Sequence, residues 1–130
     1  MTLLHSSELK QLEEYCNLIL EIDKIKFVGV INSLGNLIAG GFAKDTIPVG
    51  TEEVQKMMYI QLKLDLNMRE DYDGLFGPVS YVVSKRSNAK KISIPIGTYM
   101  ILLITEPEFD YEPTVEKITS TFKSVLGNQS

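Results

Sequence analysis

Cys16 and His5 are the only thiol and the only imidazole in the chain, and a thiolate–imidazole pair is a minimal set for nucleophilic catalysis. Their setting argues against that use. Cys16 falls on the apolar side of a helical pattern and reads as a small packed hydrophobe. His5 precedes that helix, where fraying is expected, so the two would have to converge from one helix and its entry. Glu70, Asp71 and Asp73, beside Arg69 and Tyr72, are the densest carboxylates. Paired carboxylates can move protons or hold a divalent cation. Their spacing here matches neither a calcium-binding loop nor a histidine-containing metal pair, and reads as a solvated helix terminus. Gly35, Gly40 and Gly41 do not form a phosphate loop, and serine-nucleophile, Walker and dinucleotide motifs are absent. The expectation is a protein that is not an enzyme and carries no cofactor or metal.

A second set is basic. Lys85, Arg86, Lys90 and Lys91 surround a turn at residues 86–89 in an otherwise acidic chain. They either keep a strand edge soluble or dock an acidic protein surface or anionic ligand. Nucleic-acid binding is not expected, because the net charge is −4, the pI is near 5.0 and no aromatic residues interleave the cations.

The strongest signal is the helical pattern over residues 51–76. Val54, Met58, Leu62 and Leu66 form one apolar flank; Met57, Ile60, Leu64, Met68 and Leu75 form a second. Lys56, Lys63, Asn67 and Glu70 mark the solvated side. A surface helix needs one apolar stripe, so the second flank calls for another body. Methionines there suit adaptable contacts. The alternative is that nearby loops fold over both flanks. Gln61, Asp65 and Arg69 lie between the flanks, and Asp65 with Arg69 can pair within the helix or across two subunits.

The remaining elements must position that helix. Ser6 or Ser7 is expected to cap an opening helix that buries Leu9, Leu12, Cys16, Ile19 and Leu20. Residues 26–31 and 37–42 read as a hairpin, with Gly35 or Asn36 at the positive-φ position. Gly29, Gly40 and Gly41 imply a backbone or helix passing close over the strands. Thr51 caps the long helix. Strands follow at 79–85, 91–95 and 99–105, the last a continuous apolar run suited to a sheet centre. Asp110 or Glu112 caps a final helix that ends at Gly127-Asn128. The order α-β-β-α-β-β-β-α gives an α+β fold, a three-layer α/β/α sandwich on a five-stranded antiparallel sheet.

Composition agrees with one domain over residues 1–130. Of the 130 residues, 44% are hydrophobic and 23% charged, which is ordinary for a soluble protein. One cysteine, no visible secretory signal and no apolar run near the ~20 residues of a membrane span suggest a cytoplasmic chain with no membrane insertion.

This order resembles the roadblock (dynein light-chain) family and its longin and profilin-like relatives. The resemblance rests on the opening helix, the segment KFVGVINSLGNLIAGG at 26–41 and the long helix after it. Met68-Arg69-Glu70-Asp71-Tyr72-Asp73, Phe76-Gly77-Pro78-Val79 and the Ser84-Lys85-Arg86 and Ile94-Pro95 pieces resemble an uncharacterised archaeal roadblock-like group. The resemblance implies a homodimer whose long helices pair across a two-fold axis, and whose sheets join through the strand at 79–85. It also implies a scaffold or regulator for another protein such as a small Ras-like GTPase. The expected interface comprises Val54, Met57, Met58, Leu62, Asp65, Leu66, Arg69, Val79, Tyr81 and Val83. Lys85, Arg86, Lys90 and Lys91 are the expected docking set. A PAS/profilin-like small-molecule sensor is the alternative; Phe27, Phe42, Tyr81 and Tyr99 would then line a cavity.

Overall fold

A computed structural model describes residues 4–127. Helix α1 spans Ser6–Ile19, and strands β1 (Ile25–Ile31) and β2 (Leu37–Phe42) form the first hairpin. Helix α2 runs over Glu52–Arg69, followed by a 3₁₀ turn (Glu70–Tyr72) and a one-turn helix α3 (Asp73–Phe76). Strands β3 (Val82–Lys85), β4 (Lys90–Ile96) and β5 (Tyr99–Thr105) form a meander, and α4 (Glu112–Leu126) closes the order. Three long helices and one five-stranded antiparallel sheet give the expected α+β sandwich.

The sheet order is β2-β1-β5-β4-β3, with every neighbouring pair antiparallel. Strand β5 is central and buried at every position. Its side chains alternate between two cores. Ile101 and Leu103 meet Leu12 and Cys16 of α1 and Ile118 and Phe122 of α4. Met100, Leu102 and Ile104 lie in the opposite cluster with Phe27, Tyr59 and Leu66. Helices α1 and α4 therefore cover one face and α2 covers the other.

Local chemistry sets the ends of these elements, sometimes differently from expectation. His5, not Ser6 or Ser7, is the N-cap of α1; its amide donates to Glu8 Oε1 at 2.8 Å. In the β1–β2 turn, Asn32 Oδ1 accepts from the amides of Leu34 and Asn36, both at 3.0 Å, while Gly35 takes φ +81°. At Gly40 a Cβ would stand 2.1 Å from the Val28 carbonyl oxygen and 3.1 Å from Cys16 Sγ, so α1 does pass close over this strand. Gly41 faces open space instead. Tyr111 rather than Asp110 or Glu112 precedes α4, and its carbonyl accepts from Thr114 and Val115. Asn128, expected to help stop α4, lies outside the described residues, as do residues 1–3.

Strand β3 begins at Val82, three residues later than expected. The cause is in its neighbour. The turn closes with the Arg86 amide donating to the Ala89 carbonyl, and Val82 pairs with Ser93. Two residues further the ladder would set Ser80 against Pro95, which has no amide proton to give.

Candidate interaction surface on the long helix

Thr51 caps α2 as expected, its Oγ1 accepting from the Val54 amide at 3.2 Å. Glu52 and Glu53 complement the positive end of the helix dipole. The face turned to the sheet is centred on Tyr59, Lys63 and Leu66, with Met58 and Leu62 half-buried beside them. Tyr59 stacks on Phe27 with ring centroids 6.0 Å apart. Burial pushes its hydroxyl pKa upward.

Lys63 corrects the sequence reading, which places it in solvent. It is buried, and its Nζ donates to the Thr98 carbonyl in the β4–β5 turn at 2.6 Å. The long aliphatic stem packs on the sheet while the ammonium reaches a polar turn. Burial pulls its pKa below the usual lysine range, with Glu70 opposing that shift.

Rotating Lys63 and Tyr59 inward turns Met57, Ile60, Leu64 and Met68 outward. Leu64 is 55% exposed and Met68 67%. Beyond the helix end Tyr72, Leu75 and Phe76 are exposed too, Phe76 by 84%, as is Val54 in the first turn. Ile60 also touches the first hairpin: a Cβ on Gly35 would lie 2.6 Å from Ile60 Cγ1. Contiguous apolar surface of this kind on a small chain marks a contact site.

The ten residues expected at one interface do not share one surface. Val54 and Met57 are exposed, but Leu66 is buried and Met58 and Leu62 face the sheet. Val79 packs against the α2-side core and Val83 against the α1/α4-side core. Tyr81 meets the Tyr111 ring edge-on at 5.9 Å. Val79 and Tyr81 precede β3, which begins at Val82, so the strand's alternation does not hold them on one face with Val83. Asp65 and Arg69 form the intrahelical pair, Arg69 Nε to Asp65 Oδ2 at 3.0 Å, with both side chains about half exposed. A D65A/R69A double-mutant cycle on thermal unfolding should give a coupling of about 0.2–0.5 kcal/mol. A larger coupling on self-association than on unfolding would reveal a second role across subunits.

The basic set is also divided. Lys90 Nζ donates to the Phe109 carbonyl at 2.7 Å and lies 5.2 Å from the Tyr111 ring centroid, on the α4 side. Lys91 pairs with Ile104 across the ladder and follows it to the α2 side. The four aromatics expected to line a sensor cavity do not converge either. Phe27 is buried against Phe42, ring centroids 4.8 Å apart, and Tyr99 is buried in the α1/α4-side core. Cys16 is wholly buried and its thiol pKa is pushed up to about 12, first by burial and second by Glu13, which removes it from nucleophilic duty. Tyr59 and Lys63 are the sheet-facing residues of α2 that sequence reasoning misses. Their spacing at i and i+4 with Leu66 at i+7 is the available signal.

No curated protein matches the sequence. Among solved structures, the chain is similar to the gliding protein MglB of Thermus thermophilus, with a TM-score of 0.76 at 10% identity over 97% of this chain and 93% of that one. It is similar to Myxococcus xanthus MglB at 0.71 and 11% identity, over 98% and 93%. A Roadblock/LC7 domain from Streptomyces avermitilis gives 0.68 at 12% identity, over 88% and 93%. At such identities the likeness is one of fold, and the fold is roadblock-like, in agreement with the resemblance drawn from the sequence. A model for a family of unknown function (DUF6659) matches residues 4–128, and the chain belongs to that family.

Proposed function

We propose that this chain is a single roadblock-like domain acting as a homodimeric, non-enzymatic scaffold or regulator for another cytoplasmic protein. The observation that carries this reading is the outward stripe of Met57, Ile60, Leu64 and Met68 on α2. Two copies related by a two-fold axis would lay these stripes together and remove them from water, with Val54 at one end and the Asp65–Arg69 pair at the border. The driving term is apolar burial, at roughly 25 cal/mol per Å² before association costs. The proposed partner class is a small Ras-like GTPase, following the sequence resemblance to roadblock proteins. Its docking would use surfaces away from the helix pair.

Light scattering at micromolar concentration tests the assembly directly. The expected mass is about twice the 14.6 kDa of one chain, and a monomer rejects the paired-helix arrangement. A pull-down from the source cell tests the partner. Recovery of a Ras-like GTPase supports that assignment, and its absence rejects it.

A further inference from the structure

A cleft of about 670 Å³ opens on the α2 side of the sheet, between the β3–β4 hairpin, the loop before α2 and α2 itself. Its floor is apolar, supplied by Val49, Met58 and Ile104, and its wall carries Arg86 and Lys91, with Lys85 alongside. No Asp or Glu lines it. Strand alternation explains how the cations come together. Lys90 is turned to the α4 side, while Lys91 follows Ile104 to this one. Neither Arg86 nor Lys91 makes an ion pair among the described residues. In a chain of net charge −4, this is a local reversal of sign above a greasy floor.

We infer that this cleft binds a small organic phosphate, its head held by Arg86 and Lys91 and its apolar body lying over Met58 and Ile104. The size falls in the range of small-molecule sites, roughly 300–1,000 Å³. An arginine fork matches two phosphate oxygens at once, and a lysine adds a point charge. A phosphate monoester carries about −1.5 to −2 at neutral pH, which two cations balance better than they balance a single carboxylate. The apolar floor adds a preference that bare phosphate cannot satisfy. This site is separate from the outward stripe of α2 and would be filled once per chain in a monomer or a dimer.

Calorimetric titration of the full chain with phenyl phosphate and with inorganic phosphate tests the inference. Phenyl phosphate should saturate one site per chain, about tenfold tighter than inorganic phosphate. R86Q and K91Q should each weaken it by about tenfold, with unfolding midpoints checked to show that both variants fold. K90Q, on the same hairpin but the other face, should leave binding unchanged. Equal affinity for the two phosphates overturns the inference, as does equal loss in K90Q. Absence of saturation by about 10 mM phenyl phosphate overturns it as well, and binding only of an acidic peptide would reassign the cleft to protein docking.

Discussion

Replacing Leu64 and Met68 together by Glu should convert the proposed homodimer to single chains of 14.6 kDa in light scattering at micromolar concentration. Both side chains stand outward near the middle and end of the α2 stripe, where neither supports the protein's own core. In a two-fold contact each substitution appears twice, so four carboxylates would be buried against apolar surface without partners. Central interface positions of this kind cost about 2–4 kcal/mol each, or roughly 30- to 1,000-fold in affinity. A Lys56→Glu control on the exposed side of the same helix should keep the doubled mass. Circular dichroism of the double variant should match the parent, because the changed side chains face away from the sheet. A double variant that still sediments at twice the chain mass rules this face out as the contact.

Alkaline pH should weaken the fold through Cys16. Its thiol ordinarily titrates at 9.0 and in the folded chain at about 12, so the folded state keeps a proton that the unfolded state gives up. The stabilisation is therefore complete below pH 9 and is lost as pH rises toward 12. Integrated over that whole window the loss is about 4 kcal/mol. Tyr59, raised by burial, adds loss in the same direction above pH 10. Lys63 acts oppositely: its lowered pKa means that the unfolded chain binds the extra proton, so this group favours folding as pH rises toward 10.5. Urea unfolding of the parent and of Cys16→Ala, compared from about pH 8 to 11, isolates the thiol. The parent should lose stability faster with pH than the variant, whose cavity cost is constant. Parallel curves would show that Cys16 does not govern alkaline unfolding.

Much of the architecture is legible in the sequence because period and punctuation agree. The apolar run of β5 demands burial on both sides, and Gly35, which does take the positive φ, supplies a turn suited to a hairpin. The Asn32 side chain that holds the turn is seen only in the structure. Pro95 is visible too, yet its effect on the neighbouring strand needs the register to be known. The outward flank of Met57, Ile60, Leu64 and Met68 is readable from spacing alone. Which flank meets the sheet is not. A wheel assigns Lys63 to water by its charge, whereas the folded chain offers it the Thr98 carbonyl and a hydrophobic bed for its stem. Tyr59 escapes notice for the matching reason, since its place depends on Phe27 across the sheet. The long helix also ends sooner than its periodicity suggests, because the 3₁₀ turn at Glu70–Tyr72 redirects the chain before α3.

A missing proton on Pro95 also limits how the sheet can grow. With β3 confined to Val82–Lys85, a visiting strand finds only a four-residue margin, enough for a handful of main-chain bonds. Any ribbon continued across that margin would be a thin seam, easily parted. In the proposed homodimer the greasy side of α2, not this seam, would supply the strength.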